Sequence, residues 1–395
     1  MPELSAVIFV PDDTVKTGLS RPMMLQKIMG TPLLGWLASA LRANGVGRFF
    51  MVCHERFKRE ARACFPSEAE FFCPSADKTS DELHVFLSTA DEKEDEITVV
   101  TGPAIMLGSH MDLPRQSFSP VKSCVSSVAR QALMEALDDK FIFTDFLREN
   151  GTALTDRDGV FSVTSTQELA DWQPILSRTV LLELARQGVE IWDYGNTYID
   201  PGVAIGAGTA ILPGTVLRGQ TLIGKNCIVG PNSYLENARV DDGTKIRSSY
   251  VQNAVIGYDC EIGPFANIRP GTTVGAGAKI GSFAEVKNSV LGDGVKMPHF
   301  GYVGDSDVGN GAFLGGGLVT ANFDRAQKNR TVIEDDAFVG CNVSLIAPVH
   351  VGQGSYTAAG STITEDVPAN SLAIDRMRQS VKKDWSSKHK QKTTE

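Results

Sequence analysis

The sequence predicts a chain in two parts of different fold: an α/β unit with a parallel sheet, followed by a parallel β-helix. The β-helix is predicted because apolar residues recur every six positions in three phased runs, and a period of this kind is typical of that fold. Glycine follows many of them, as in "IGAG", "VGPN" and "VGQG", and permits tight corners. The repeating residues are Ile199, Ile205, Ile211, Leu217, Ile223, Val229, Ile256, Ile262, Ile268, Val274, Ile280, Val286, Ile333, Val339, Leu345, Val351, Thr357 and Ile363.

The first part of the chain has a different pattern. Strands are predicted at "AVIFVP" (6–11), "FFMVC" (49–53) and "EITVVTG" (96–102), and a helix at "PLLGWLASALRANGV" (32–46). This alternation predicts an α/β unit. Helical periodicity over 166–189 predicts an arm between the two parts. The predicted domains are 1–165 (α/β), 166–195 (helical linker arm), 196–375 (β-helix) and 376–395 (basic C-terminal tail).

Composition limits the class of protein. A chain of 395 residues that is 42% hydrophobic can build two or three packed domains. The net charge of -9 argues against nucleic-acid binding. No apolar run approaches about 18 residues, and "MPELSAVIFVPDD" lacks the basic start of a secretory signal, so we expect a cytoplasmic protein that does not enter membranes. Seven cysteines without CxxC spacing suit free thiols in a reducing compartment.

One histidine stands out in "KMPHFGYVGDSDVGNG" (296–311), where the six-residue pattern loses step around residues 287–303. This predicts that a loop brings His299 into a groove, where histidine would suit general base catalysis because its ordinary pKa is about 6.5. A structural histidine in a Gly-rich corner is one alternative, and a zinc ligand is another. Zinc would need three histidines, and the repeat region has only His299 and His350, so no metal is expected.

Longer motifs carry a family resemblance. They are "NIRPGTTVGAGAKIGSFAEVKNSVLGDGVKMPHFGYVGDSDVG", "TANFDRAQK", "VGCNVSLIAPVHVGQGSYTAAGSTITEDVPANSLAIDR" and "KKDW". In these segments the chain resembles the bifunctional N-acetylglucosamine-1-phosphate uridyltransferase / glucosamine-1-phosphate acetyltransferase (GlmU-type) family. The resemblance implies a nucleotidyltransferase-like (Rossmann-like) N-terminal domain, a left-handed parallel β-helix of hexapeptide repeats, and a homotrimer with grooves between subunits.

The same resemblance implies acetyl transfer from acetyl-CoA to the amine of glucosamine 1-phosphate, giving N-acetylglucosamine 1-phosphate for UDP-N-acetylglucosamine and cell-wall synthesis. It makes His299 the general base. The residues at its sugar-phosphate and reaction-site positions are Arg269, Lys287, Tyr302, Phe313, Asn322 and Lys328. The residues at its acetyl-CoA positions are Gly316, Asn322, Phe323, Cys341, Ala359 and Arg376. In the tail, Lys382 and Lys383 are further candidates for the phosphates of the cofactor.

Two positions in this half depart from the family pattern. Phe313 stands where the family has a sugar-contacting Asn, so an apolar ring replaces an amide donor and acceptor. A different amino sugar, or packing of Phe313 at a subunit contact, would each account for the change. Cys341 stands where many members have Ser, which is a milder difference.

The N-terminal half departs further. The family's Gly-rich basic loop becomes "PDDTVKTGLSRPMML", with Asp12, Asp13 and Thr14 in place of glycines and Met23 in place of a lysine. Pro103 stands where the family has a metal-binding Asp, and proline offers no carboxylate to Mg²⁺. The resemblance therefore implies a degenerate uridyltransferase domain, with Lys16 and Arg21 as partial substitutes.

Three functions follow as hypotheses. The first is the acetyltransferase alone, with acetyl-CoA as cosubstrate. The second is a bifunctional enzyme that also transfers uridylyl from UTP with Mg²⁺. The third is a non-catalytic sugar-phosphate-binding paralogue in which Phe313 blocks the sugar site.

Overall fold

The computed structural model describes residues 4–65, 69–73, 79–91, 94–107, 123–138 and 143–390. The last five residues of the predicted basic tail, 391–395, lie outside them. The chain divides into two compact units, Met1–Val180 and Leu181–Glu395. The first is a Rossmann-like α/β unit and the second a left-handed parallel β-helix, so the predicted fold class is confirmed.

The first unit contains ten strands and seven helices among the described residues, the last helix running on into the second unit. The strands are β1 (Leu4–Val10), β2 (Lys27–Ile28), β3 (Thr31–Pro32), β4 (Val46–Cys53), β5 (Glu70–Phe72), β6 (Glu96–Val100), β7 (Ala104–Met106), β8 (Val125–Ala129), β9 (Gly151–Ala153) and β10 (Val160–Ser162). The helices are α1 (Thr14–Thr17), α2 (Leu33–Ala43), α3 (Lys58–Arg62), α4 (Thr79–Ser88), α5 (Arg130–Asp138), α6 (Phe143–Asn150) and α7 (Thr166–Arg186).

The main sheet of this unit has the strand order β5-β4-β1-β6-β8-β9. Strands β5, β4, β1 and β6 are parallel, as predicted. The sheet is not parallel throughout, because β8 pairs antiparallel with β6 and β9 pairs antiparallel with β8. The short polar segment that forms β8 has no apolar run from which its direction could be inferred.

Alternating residues of β1 supply two cores, one on each face of the sheet. Ala6 and Ile8 belong to the cluster that contains Leu37 of helix α2. Val7 points the other way and belongs to the cluster that contains Phe86 of helix α4. Because both faces of the sheet are covered, β1 is a continuous apolar run, and such a run predicts a strand from the sequence alone.

The β-helix has three faces, each a parallel sheet of short strands. The first face consists of Glu190–Ile191, Ala210–Ile211, Ile228–Val229, Lys245–Ile246, Glu261–Ile262, Lys279–Ile280, Lys296–Met297, Phe313–Leu314, Phe338–Val339, Tyr356–Thr357 and Leu372–Ala373. The second face consists of Tyr198–Ile199, Val216–Arg218, Tyr234–Glu236, Tyr250–Gln252, Asn267–Ile268, Ala284–Lys287, Gly301–Gly304, Val319–Ala321, Ser344–Ile346 and Thr362–Ile363. The third face consists of Ala204–Ile205, Leu222–Ile223, Arg239–Val240, Val255–Ile256, Thr273–Val274, Val290–Leu291, Ser306–Val308, Thr331–Ile333 and Val349–Val351.

The apolar axis confirms the predicted core. Every residue of the three six-residue runs is buried. The runs are joined by further buried residues, among them Leu235, Val240, Met297 and Val303, so the three runs form one solenoid. The six-residue pattern missed these joins because some steps, such as Val286 to Leu291 and Val303 to Val308, are five residues long.

Strand pairing begins before residue 196, because Glu190–Ile191 already pairs in parallel with Ala210–Ile211. After the last coil the chain forms helix α8 (Trp385–Lys390). Within the described ranges, no helix is both long enough and apolar enough to cross a membrane.

Candidate functional site

His299 lies at a corner between the first and second faces and is exposed. In the next coil the N–H of Gly317 donates to the carbonyl of Phe300 at 2.6 Å, which brings Gly316 beside His299. A Cβ on Gly316 would lie 3.1 Å from the Cβ of His299. The glycine therefore leaves the neighbouring coil flat beside the imidazole.

The prediction that a loop brings His299 forward is wrong. Met297 and Val303, on either side of it, are buried and keep the six-residue spacing, so His299 occupies an ordinary corner. The longer excursion comes in the next coil, between the buried Thr320 and Ile333. The histidine is accessible because its position in the corner faces outward, and Cys341 and Ala359, at the same position in later coils, are exposed too.

Successive coils extend this corner into a row. Strand pairing places Gly316, Cys341 and Ala359 at the position that His299 occupies in its own coil. The guanidinium of Arg376 donates to the backbone oxygen of Ala359 at 3.0 Å. We call these five residues the histidine corner. It gathers four of the six residues predicted at acetyl-CoA positions.

A second group lies at the opposite edge of the second face, where Arg269, Lys287 and Lys328 form a cation cluster. The N–H of Arg269 donates to the carbonyl of Val286 at 2.8 Å, so Arg269 lies beside Lys287. Lys328 has the largest effect on the pKa of Lys287, and Arg269 the next largest. Both lower it, because nearby positive charges make the ammonium form of Lys287 unfavourable. Such a cluster favours binding of an anion.

Asp305 is the buried counter-charge of this cluster. Its carboxylate accepts hydrogen bonds from the side-chain amides of Asn288 and Asn322. Burial opposes ionisation, but these hydrogen bonds, together with Lys328 and Lys287, outweigh burial and lower the pKa of Asp305. No motif in the sequence predicts a role for Asp305. Its place after a strand, in "YVGD", was the only signal.

Tyr302 lies on the second face between the two groups. Its phenol folds back over Gly304, where a Cβ would lie 2.2 Å from the hydroxyl oxygen. Glycine at 304 therefore permits this position of the tyrosine, because any side chain there would displace the ring.

The excursion between Thr320 and Ile333 carries Asn322, Phe323 and Lys328 to the cation cluster. A β-bridge joins Phe323 to Lys328, and the N–H of Asn329 donates to the carbonyl of Asn322 at 2.8 Å. Phe323 is exposed. Within one chain, Asn322 and Phe323 therefore lie away from the histidine corner, although they share its predicted acetyl-CoA role.

Phe313 belongs to neither group. It lies on the first face, where its ring stacks on Phe338 with centroids 5.0 Å apart, and Phe338 stacks in turn on Tyr356. This packing is within the chain and does not need a subunit contact. A sugar-binding role for Phe313 stays a prediction.

One strand separates the two groups. His299 and Asp305 are six residues apart along the chain, which at about 3.3 Å per residue is at most about 20 Å. The single chain therefore presents the histidine and the cation cluster at opposite edges of the same face.

In the N-terminal unit, the loop after β1 is held by its own side chains. Asp12 accepts from the hydroxyl of Thr14 at 2.6 Å and forms an ion pair with Arg56. The hydrogen bond from Thr14 is the largest contribution that lowers the pKa of Asp12. Asp13 accepts from the N–H of Met23 at 3.0 Å. The carboxylates therefore occupy donors that a phosphate-binding loop would direct at its ligand.

One of the two substitutes proposed for the missing cations, Arg21, is already paired with a carboxylate. Arg21 forms an ion pair with Glu60 at 3.1 Å, and Met23 is buried. After β6, Gly102 packs on Cys124 and Pro103 follows it, so this strand end offers no carboxylate. Among the described residues, no cluster of three or more His, Cys, Asp or Glu side chains could hold a metal ion. The residues present do not fit a Mg²⁺ site of the family type.

The fold and site define a hexapeptide-repeat protein whose repeats follow a Rossmann-like unit along the chain. Two family profiles match: the GMPPB C-terminal domain over residues 194–276, and the bacterial transferase hexapeptide (six repeats) over residues 330–365.

Several proteins that carry the name bifunctional protein GlmU are similar to this chain. The protein of Acetivibrio thermocellus is 46% identical over 58% of this chain and 50% of its own length. That of Exiguobacterium sibiricum is 51% identical over 51% of this chain and 44% of its own. That of Syntrophomonas wolfei is 36% identical over 76% of this chain and 67% of its own. The chain belongs to the bifunctional GlmU family, although it spans about half the length of the first two relatives.

The buried carboxylate gives a testable prediction. Asp305→Asn should lower the stability of the β-helix at pH 7 by about 1.5–3 kcal/mol, because the hydrogen bonds of a charged acceptor are lost. The folded-state pKa of Asp305 is lowered. Its contribution is therefore complete above the unfolded pKa of about 3.9 and is lost as the pH falls through the folded pKa. Urea unfolding at several pH values would measure this.

Asp307→Asn is the matched control. Asp307 pairs with Arg330 but is half-exposed, so its loss should cost less than about 1 kcal/mol. Equal effects of the two variants, or an Asp305 effect that does not shrink toward about pH 3, would contradict this assignment of the carboxylate.

Proposed function

We propose that the chain is an acetyl-CoA-dependent N-acetyltransferase that converts glucosamine 1-phosphate to N-acetylglucosamine 1-phosphate, for UDP-N-acetylglucosamine and cell-wall synthesis. Membership of the GlmU family supports a transferase of this type. The observation that carries the proposal is the cation cluster of Arg269, Lys287 and Lys328, on the same face as an exposed histidine.

The cation cluster suits a sugar phosphate. Arg269 can offer a planar pair of N–H donors and Lys287 a compact charge, and a phosphate dianion accepts both. Arg269 is already held by Glu285 at 2.6 Å, which fixes its direction. Tyr302 and Asn322, on the same face, supply hydroxyl and amide groups for the sugar.

His299 acts as the general base in this proposal. The imidazole takes a proton from the amino group of the sugar, whose nitrogen attacks the thioester carbon of acetyl-CoA. The new C–N bond forms as the C–S bond breaks, and the CoA sulfur leaves as a thiolate that takes up a proton. Because the oxygen of the thioester gains negative charge during this step, a backbone N–H at the corner would stabilise it.

We propose that acetyl-CoA lies along the histidine corner, where Gly316, Cys341 and Ala359 continue the row from His299 and Arg376 closes it. Small residues in this row leave a shallow track for an extended cofactor. The tail residues Lys382 and Lys383 follow Arg376 and would meet the phosphates of the cofactor.

A homotrimer would complete the site. The histidine corner and the cation cluster lie at opposite edges of one face, so the two edges meet only if a second copy brings its own edge alongside. Asn322 and Phe323, which lie by the cation cluster in their own chain, would then reach acetyl-CoA bound to the corner of a neighbour. Complementation between inactive His299 and Lys287 variants would reveal such sharing.

We expect His299→Ala to lower thiol release from acetyl-CoA with glucosamine 1-phosphate by at least about 100-fold, because general base catalysis contributes roughly 10²–10⁴. Thiol release measured with a chromogenic disulfide reports the rate. The matched control is His350→Ala, since His350 lies on the third face and pairs with Glu334 at 2.9 Å. A His299 variant that keeps the full rate would refute the assignment.

Lys287→Met should raise the KM for glucosamine 1-phosphate by about 10–100-fold, since a charged hydrogen bond contributes about 1.5–3 kcal/mol. The KM for acetyl-CoA should stay the same. Lys279→Met is the matched control, because Lys279 lies on the first face beside Glu261. If the two variants behave alike, or if glucosamine without phosphate shows the same loss, the cation cluster does not bind the phosphate.

We propose that the N-terminal unit does not transfer uridylyl groups, because Asp12 and Asp13 bind the donors of its own loop and Pro103 replaces a metal ligand. The full chain with UTP, Mg²⁺ and N-acetylglucosamine 1-phosphate should release no pyrophosphate above background. Steady release that needs Mg²⁺ would establish the bifunctional alternative instead.

A further inference from the structure

Two cysteines meet at one edge of the N-terminal sheet. Cys53 is the last residue of β4, and Cys73 comes directly after β5, its parallel neighbour. Their sulfur atoms are 3.9 Å apart, within hydrogen-bond range for thiols. Both side chains are half-buried. The pair is thus sheltered but open to small molecules.

Cys73 lines a cleft that contains three cationic side chains. The residues that line it are Glu55, Lys58, Arg59, Arg62, Phe71 and Cys73. Arg62 lies over the ring of Phe71, with its guanidinium carbon 4.6 Å from the centroid. Of the charged residues in this cleft, Lys58 favours negative charge on the sulfur of Cys73, whereas Glu55 opposes it.

The two thiols share the charge unequally. The hydrogen bond with Cys53 is the largest effect on the pKa of Cys73 and lowers it, and Lys58 lowers it further. Burial, Glu55 and Glu82 act in the opposite direction. The pKa of Cys73 is lowered to about 7. The same hydrogen bond raises the pKa of Cys53, followed by burial. Of the two thiols, Cys73 therefore ionises more readily, and Cys53 is the proton donor of the hydrogen bond.

The other thiols of this unit are in different surroundings. Burial raises the pKa of Cys64 to about 12 and also raises the pKa of Cys124. Reactivity toward electrophiles follows the thiolate and its exposure, so these two cysteines should be slow to react.

We propose that Cys53 and Cys73 form a peroxide-sensitive dithiol that closes to a disulfide. The thiolate of Cys73 attacks a hydroperoxide: an S–O bond forms, the O–O bond breaks, and the alcohol or water leaves with a proton. Cys53 then attacks the sulfur of the resulting sulfenic acid. An S–S bond forms, the S–O bond breaks, and the hydroxide leaves as water with the proton of Cys53. Two thiols are oxidised by two electrons and one peroxide is reduced.

Formation of the disulfide requires a small movement of the two cysteines. A disulfide needs its sulfur atoms about 2.05 Å apart, so the pair must approach by about 2 Å. The last paired residue of β5 is Phe72, opposite Phe50. Cys73 follows the last paired residue of β5, so the strand ladder does not hold it, and we expect it to make this movement.

Hydrogen peroxide added to the reduced full chain should remove two thiols and lower the mass by about 2 Da. Trypsin should then release a reducible link between peptides 49–56 and 63–78. The second peptide contains both Cys64 and Cys73. Cys64→Ser should therefore keep the link, whereas Cys73→Ser and Cys53→Ser should abolish it. Cys53→Ser should instead accumulate a sulfenic acid that dimedone traps.

A second measurement does not depend on the disulfide. Iodoacetamide should alkylate Cys73 at least about tenfold faster than Cys64 at pH 7, as expected for a lowered against a raised thiol pKa. A link that survives in Cys73→Ser, peroxide oxidation confined to cysteines outside this pair, or equal alkylation of Cys64 and Cys73 would each overturn the proposal. Circular dichroism of each variant shows that the fold is kept. This inference does not rest on the proposed function.

Discussion

The hydrogen-bonded ladder between successive coils is the constraint on which the second unit depends. Backbone hydrogen bonds run in both directions between successive coils: Arg269 N–H donates to Val286 of the next coil, and Asp305 N–H donates to Lys287 of the preceding coil. Once one coil is in register, every outward side chain has a fixed neighbour above and below it. The buried aliphatic axis holds that register, because a slip of one residue would turn apolar side chains outward.

The candidate site follows from this register. Corner positions stack His299 with Gly316, Cys341 and Ala359, although up to sixty residues separate them along the chain. At the other edge, the same stacking brings Arg269 and Lys287 together, and the excursion after Thr320 adds Lys328. The cations would repel one another without a counter-charge, and the buried carboxylate of Asp305 supplies it through Asn288 and Asn322.

The first unit has a Rossmann-like sheet, and the loop after β1 is held by hydrogen bonds among its own residues. Asp12 and Asp13 are held by donors of their own loop, and the strand end at Pro103 carries no carboxylate. At the ends of β4 and β5, Cys53 and Cys73 lie within hydrogen-bond distance of each other, and Cys73 lines a cleft with three cationic side chains. The chemistry at a sheet edge depends on the side chains of its loops and strand ends, and the sheet itself does not determine it.

The sequence by itself determined the β-helix, its buried axis and the strands β1, β4 and β6, because these depend on local periodicity that each segment carries alone. Family motifs also located His299, Arg269 and Lys287. Only the tertiary structure decided the direction of β8, the five-residue steps that join the three runs, and the ordinary corner of His299. It alone brought Asp305 to the cations and Cys53 to Cys73. These depend on which coils and strands pair across the chain, and pairing over such separations is set by the packed whole and leaves no local pattern.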